Sequence, residues 1–349
     1  MTAPPTDALG DLRHALTTGW TAAEHVQPHR IDMHLAGLDV RIELAGDRLH
    51  DVVSPALETH RPAVGAPVAR VRAYDAAATG APMPPRQWRP DDQHLRWAPT
   101  PAAPGGIRWT WHEHSGTGLF SDPEGVGHLS AVTDARQLPW YELGAPLRQA
   151  LAWALAPHGR HFVHCAAVGR ADGAVLLVGP SGAGKTSTAV AGLLAGLHFL
   201  GDDYCVLTLD DGPVVHTLYG TCKLQPDQLA LVDRDAHLAP HLLHLGGDDS
   251  KAIAVASRWA PDLVIPSAPV RAVIVPSTDG PAGLTPLPAA TTLRHLAPTS
   301  VLQLSGAGAE DLAALAALVR SVPCYRLGLL PDRAANPPAL LALLDLVAR

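Results

Sequence analysis

The sequence predicts an α/β chain in which a phosphate-binding-loop domain over residues 141–349 follows a smaller, mainly antiparallel β domain over residues 1–140. Three observations lead there. Ala174-Val175-Leu176-Leu177-Val178 is a continuous apolar run that reads as a strand buried on both faces. Gly179-Pro180-Ser181-Gly182-Ala183-Gly184-Lys185-Thr186 follows it and fits G-x-x-x-x-G-K-[ST] at every fixed position, and residues 188–197 then supply Ala, Val and Leu at helical spacing. Residues 30–135 instead hold short alternating runs broken by turn residues, the pattern of half-buried strands.

In chain order, residues 8–16 predict a weak amphipathic helix. Residues 31–35 and 38–44, separated by Ala36-Gly37, predict an antiparallel hairpin. Residues 52–60 are helix-prone and 69–74 alternate again. Residues 76–104 are rich in Ala, Pro and Gly, which predicts a long loop with one short strand near 95–97. Strands follow at 107–112, 118–120 and 127–132. Apolar residues at helical spacing over 143–156 lead into the second domain. There, 161–168 reads as a strand, Arg170-Ala171-Asp172-Gly173 as a turn, and the loop-bearing strand comes next. Further strands are expected at 204–209, 214–218, 270–276 and 324–330, and helices at 291–296, 310–319 and 338–347. Residues 246–251 form a polar loop with the composition of a lid.

The loop's chemistry follows from its residue types. Glycines let successive N–H groups point inward, and the helix behind adds the positive end of its dipole, so a polyphosphate is held by Gly179, Ser181, Gly182, Ala183, Gly184, Lys185, Thr186 and Ser187. Lys185 reaches the β- and γ-phosphate oxygens, and the Thr186 hydroxyl takes one position on Mg²⁺. One helix later, His198-Phe199-Leu200-Gly201 ends in Asp202-Asp203. One carboxylate there suffices for the metal. The second is free to point at an acceptor and take its proton.

Composition excludes other classes. A formal charge of -7 argues against general nucleic-acid binding, which depends on basic residues neutralising phosphates. No stretch reaches the roughly 18 apolar residues of a membrane span, and the first residues lack the basic-then-apolar pattern of a secretory signal. A cytoplasmic protein is expected. Cys165, Cys205, Cys222 and Cys324 are far apart and without zinc-ligand spacing, so buried free thiols are expected. His237, His241 and His244 share a helical face, but Pro240 interrupts it and no H-E-x-x-H pattern follows. The tryptophans at 88, 97, 109, 111 and 140 fit either a core or a peptide-binding surface.

The order strand, Gly179 to Thr186, helix, Asp202-Asp203, with His164 one hairpin upstream, resembles the catalytic domain of the HPr kinase/phosphorylase family. It resembles more closely the HPr-kinase-like proteins of bacterial peptide-modification gene clusters, which share PSGAGKT-like loops and DDY-like strand ends. The resemblance implies a catalytic domain of the HPr-kinase/PEP-carboxykinase-like type. It makes Asp202 the base, puts Asp203 with Thr186 on Mg²⁺, and sets His164 beside the aspartates as a third catalytic residue with Lys185. The family's glycine-rich signature after the aspartates is replaced here by Tyr219-Gly220-Thr221-Cys222-Lys223-Leu224. Lys223 and Lys251 are candidates for the charge that steadies phosphoryl transfer.

The expected function is therefore an ATP- and Mg²⁺-dependent kinase acting on a hydroxyl, a serine of a peptide or small protein, with the first domain contributing to acceptor recognition and a homo-oligomer implied by the resemblance. Two alternatives stay open. One is a kinase of a free amino acid or other small hydroxyl compound, and the other a nucleotide-dependent binding protein without transfer.

Overall fold

A computed structural model describes residues 6–84, 107–226, 228–229, 239–247, 250–304, 306–332 and 335–347. The chain divides into two compact units. The first comprises Met1–Ser54, His60–His158 and Gln303–Ala307, and the second Pro55–Thr59, Gly159–Leu302 and Gly308–Arg349.

The first unit is built on β1 (His29–Leu35), β2 (Leu38–Ala45), β3 (Arg61–Pro62), β4 (Ala69–Asp75), β5 (Arg108–His112), β6 (Thr117–Asp122) and β7 (Gly127–Val132), in the sheet order β3-β1-β2-β4-β7-β6-β5. The expected hairpin is present, with Met33 opposite Val40. The central pairs β2–β4 and β4–β7, however, are parallel. The sheet is thus mixed: its outer pairs, β1–β2, β1–β3, β5–β6 and β6–β7, are antiparallel as expected, and its two central pairs are not. Alternation reports that one face is buried and is silent about neighbour direction. The crossover that parallel β2 and β4 require includes the helix Asp47–Leu57.

The first helix runs Thr6–Glu24, much longer than the expected 8–16. Leu12, Leu16, Trp20 and Ala23 share one stripe and pack with Trp109, Phe120, Leu129 and Ala131. Trp109 is therefore core, and Trp111 packs against the same cluster. The expected long loop starts with a helical turn at Ala76–Thr79, capped by Asp75. The strand expected near 95–97 and Trp88 and Trp97 lie outside the described residues. The helical pattern over 143–156 becomes two helices, Trp140–Gly144 and Arg148–Leu155. The second packs on β4, β6 and β7, so this segment belongs to the first unit and not to the second domain.

The second unit holds β8 (His161–Val163), β9 (Cys165–Arg170), β10 (Gly173–Val178), β11 (His198–Gly201), β12 (Cys205–Thr208), β13 (Val214–Thr217), β14 (Thr221–Leu224), β15 (Leu242–His244), β16 (Ala252–Val255), β17 (Ser267–Ser277), β18 (Gly283–Pro286) and β19 (Cys324–Gly328). The main sheet runs β11-β9-β10-β17-β13-β12-β8, with β19 also on β17 and β18 on β19. β10 and β17 are parallel.

The apolar run of β10 is buried on both faces because helices cover both. Val175 and Leu177 face a cluster with Ala189, Val190 and Leu193 of the helix Lys185–Leu194 and Leu340 and Leu343 of the helix Pro337–Val347. Ala174, Leu176 and Val178 face Leu296, Leu315 and Leu318 of the helices Ala289–Val301 and Ala309–Ser321. A small sheet, β14-β16-β15, completes the unit. Two residues of the expected lid, 248 and 249, lie outside the described ones. All four cysteines are buried free thiols, and among the described residues no helix is long and apolar enough to cross a membrane.

Candidate active site

Two breaks in the sheet create the site. The run expected as one strand over 161–168 is interrupted at His164, where the chain leaves β8 and enters β9. Asp202 and Asp203 occupy the matching break between β11 and β12. β12 pairs with β8, Cys205 opposite Val163, and β11 pairs with β9, Gly201 opposite Ala167. The two breaks therefore face each other, and a histidine about forty residues earlier meets the aspartates. Gly201 is suited to the crossing, since a Cβ there would come within 2.7 Å of Cys205 Sγ.

The loop after β10 turns through Gly179, Gly182 and Gly184, all with positive φ. Gly184, at φ 98, is the N-cap of the helix Lys185–Leu194. A Cβ there would meet Leu329 Cδ1 at 2.4 Å, so the tight turn fits glycine alone without rearrangement. Lys185 is buried, and its Nζ donates to the carbonyls of Gly179 at 2.8 Å and Pro180 at 3.1 Å. Burial lowers its pKa, while the charges of Asp202 and Asp203 oppose that shift. Ser187 Oγ donates to Gly184 O at 3.2 Å, bracing the turn from inside.

Thr186 Oγ1 donates to Asp202 Oδ1 at 2.8 Å, and the Lys223 backbone N–H donates to Asp202 Oδ2 at 3.0 Å. The sequence expectation placed Thr186 and Asp203 together on Mg²⁺; the direct hydrogen-bond partner of Thr186 is Asp202. The second aspartate, with φ 77, is turned the other way by its left-handed backbone. Asp203 Oδ1 lies 3.1 Å from His164 Nε2, and Asp203 Oδ2 accepts from Lys223 Nζ. A carboxylate only accepts here, so Nε2 carries the hydrogen.

The two carboxylates differ electrostatically. Burial pushes the Asp202 carboxyl up, against the Lys223 N–H and Thr186 hydroxyl. Burial acts on Asp203 the same way, but the Lys223 charge and the His164 and Lys223 hydrogen bonds together outweigh it and hold that carboxyl well below its usual range.

Lys223 sits on β14, opposite Ile253 of β16, and contacts both aspartates, one through its backbone and one through its side chain. Lys251 is half-buried, and its charge reaches Lys185. Sequence reasoning missed two supports of His164. Its backbone N–H donates to Ser300 Oγ at 3.0 Å, and its ring lies 5.3 Å from that of Tyr204. No motif surrounds Ser300, and only its place on the helix Ala289–Val301 beside the β8–β9 break reveals it. Ser181 and Gly182 are exposed, while Ala183 is half-buried and its N–H donates to the Pro180 carbonyl at 3.3 Å.

No family model matches the chain, and no curated protein matches it. Among solved structures it is similar to the HPr(Ser) kinase/phosphatase from Coxiella burnetii, with 14% identity over 53% of this chain and 88% of that one and a TM-score of 0.30. That is a distant structural likeness only, and the chemistry below is argued from this chain's residues.

The oxygen donors Thr186 Oγ1 and the Asp202 carboxylate suit Mg²⁺, which takes one or two carboxylates and leaves other positions to phosphates and water. Among the described residues no group of three or more His, Cys, Asp or Glu side chains could hold a metal.

Proposed function

We propose that the chain is an ATP- and Mg²⁺-dependent kinase that transfers the γ-phosphoryl group to a hydroxyl, a serine of a peptide or small protein. The observation that carries the reading is the division of labour between the adjacent aspartates. Asp202 is bonded to the hydroxyl of the phosphate loop, and Asp203 is held on the other side by His164 and Lys223.

Thr186 and Asp202 would hold Mg²⁺, which would neutralise charge on the β- and γ-phosphates. Lys185 would leave its two carbonyl partners for the phosphate oxygens, and the loop amides would cradle the β-phosphate. This gives Asp202 the metal role and leaves Asp203 as the base, the reverse of the assignment the sequence suggested.

Asp203 stays ionised, so it is always ready to accept a hydrogen bond from the acceptor hydroxyl. The hydroxyl oxygen forms the new P–O bond, its proton passes to Asp203, and the bond from the γ-phosphorus to the bridging oxygen breaks, releasing ADP. A low-pKa base serves because the transition state is loose and the oxygen needs orientation more than early deprotonation. Lys223, beside Asp203, supplies positive charge close to where it develops.

The test is to incubate the protein with ATP, Mg²⁺ and serine-containing peptides and to follow by mass spectrometry the gain of one phosphoryl group. Lys185→Ala and Asp203→Asn serve as controls. A phosphopeptide that disappears in both supports the reading. Transfer to free serine but to no peptide would place the chain among small-molecule kinases. Tight ATP binding without transfer to any hydroxyl would make it a nucleotide-dependent binding protein.

A further inference from the structure

One face of the first unit's sheet is covered only in part. The helix Thr6–Glu24 packs over Ala45 and Tyr74 at one end, and Arg72 marks its edge, with the guanidinium 5.1 Å from the Trp20 ring. Beyond that edge, alternation puts the charged residues of β1, β2, β3 and β4 on this face. Met33, Val40, Ile42 and Val71 are buried on the other.

Register aligns the charges in rows. Arg30 lies opposite Glu43 and Glu43 opposite Arg72; Asp32 lies opposite Arg41 and Arg41 opposite Arg70. Asp39 and Arg61 flank His34. Arg41 is committed to Asp32, donating from Nε at 2.6 Å and from Nη2 at 3.1 Å. Glu43 faces three guanidiniums. Arg72 Nε donates to it at 3.2 Å, while the Nε atoms of Arg30 and Arg70 stand off at 3.7 and 3.8 Å. One carboxylate cannot neutralise three cations, and Arg41 directly opposite Arg70 is a like-charge pairing that destabilises a sheet. Among the described residues this face carries arginines 30, 41, 61, 70 and 72 against Asp32, Asp39 and Glu43, a positive excess on a chain whose formal charge is -7. The side chains of Arg30 and Arg70 are 64% and 46% exposed, so their donors reach solvent.

An apolar ledge borders the charges. The segment 63–68 is tied to the sheet by N–H donation from Ala63 to Asp32 O at 3.2 Å, from Gly65 to Asp39 Oδ2 at 2.6 Å and from Val68 to Asp39 O at 2.9 Å. It nevertheless leaves Val64 91% and Val68 56% exposed. An external anion would relieve the repulsion among the arginines. A nucleic acid would meet the chain's overall negative field and has no use for the ledge. A short acidic peptide brings carboxylates that match guanidinium forks, together with apolar side chains.

We propose that this face docks an acidic segment of the peptide acceptor, its carboxylates received by Arg30 and Arg70 and an apolar neighbour by Val64 and Val68. The inference rests on the peptide-kinase reading above and adds that the acceptor carries acidic residues besides the serine.

The test uses the full chain and fluorescein-labelled probes followed by anisotropy. One probe is a short peptide of glutamates, leucines and one serine, the second has every glutamate replaced by glutamine, and the third is an oligothymidylate with the charge of the first. The acidic peptide is expected to bind saturably and more weakly as salt rises, with the glutamine peptide weaker by about tenfold or more. The double variant Arg30→Gln/Arg70→Gln should weaken the acidic peptide about tenfold or more, and should melt near the parent because neither guanidinium hydrogen-bonds Glu43. Arg294→Gln/Arg320→Gln, which removes two exposed arginines of the second unit, should bind as the parent does. The proposal is overturned if the acidic peptide does not bind, if the glutamine peptide or the oligothymidylate binds as tightly, or if Arg30→Gln/Arg70→Gln weakens binding no more than the control pair. Phosphorylation of the peptide is scored separately. Transfer with a KM unchanged in Arg30→Gln/Arg70→Gln would overturn the docking face and leave the kinase reading standing. Binding as expected without transfer to any peptide would overturn the peptide-kinase reading and leave the face as a docking site for acidic peptides.

Discussion

Lys223→Met tests the electrostatic core of the site most directly. The substitution keeps the stem and removes the ammonium that lies on Asp203 Oδ2. The side chains of Lys223 and Asp203 are 11% and 20% exposed, so this pair is substantially buried. Removing one partner of a buried pair costs about 3–5 kcal/mol because the other charge is left uncompensated. Here His164 still donates to Oδ1 and a fifth of Asp203 meets solvent, so the expected loss is about 2 kcal/mol. For a unit of this size that corresponds to a fall in Tm of about 4–8 °C. The sign with pH is fixed by the direction of the Asp203 shift. A depressed carboxyl contributes stability above its unfolded pKa of about 3.9 and loses it as pH falls through the folded value. The Tm gap between parent and variant should therefore be constant from neutral pH down to mildly acid solution and close in strong acid. Circular dichroism melts without nucleotide, combined with Asp203→Asn in a double-mutant cycle, measure it. A coupling energy under about 0.5 kcal/mol, or a gap that widens towards acid, would refute the reasoning.

Three further variants probe the same geometry. Asp203→Asn should lower kcat about 10²–10⁴-fold while ATP binding, measured by calorimetry, stays near parental. Asp202→Asn should raise the Tm of the nucleotide-free protein, because burial already opposes its charge, and an amide can still accept from Lys223 N–H and turn its NH₂ to Thr186. The same variant should lose the Mg²⁺-dependent part of nucleotide affinity, which titrations with and without the metal separate. Gly184→Ala should cost about 1–2 kcal/mol, seen as a lower Tm, and abolish ATP binding. The Leu329 side chain can shift, but the left-handed backbone at φ 98 cannot be relieved without opening the turn.

The part of this protein that was legible in the sequence is the part whose chemistry is local. The loop, its strand and its helix are contiguous, so residue type and spacing were enough. The hairpin at β1 and β2 was legible for the same reason, since Ala36 and Gly37 set the turn between two alternating runs. Parallel pairing of β2, β4 and β7 was not, because an alternating strand looks the same whichever way its neighbour runs. His164 was expected beside the aspartates only through a family likeness. The physical cause, two chain breaks facing each other across the pairs β8–β12 and β9–β11, depends on register and leaves no local mark. The exchange of partners between Asp202 and Asp203 was hidden for a further reason. It turns on the positive φ of Asp203, and an Asp-Asp pair carries no sign of which residue adopts it.

That backbone conformation is the hinge of the functional argument. Two neighbouring carboxylates in an extended strand would point to opposite faces, one of them into the apolar cluster around Cys205 and Leu200. Breaking the strand after Gly201 and turning Asp203 left-handed keeps both at the same end of the sheet, one against the phosphate loop and one against Lys223 and His164. A non-glycine residue in that region costs of order 1–3 kcal/mol, and the hydrogen bonds and ion pair on Asp203 are what can sustain it. If so, Asp203→Gly should recover part of the backbone strain while losing the ion pair, and should melt closer to the parent than Asp203→Ala does. Equal Tm values for the two would mean that the turn stores no strain, and that the placement of the carboxylates rests on the facing breaks in the sheet alone.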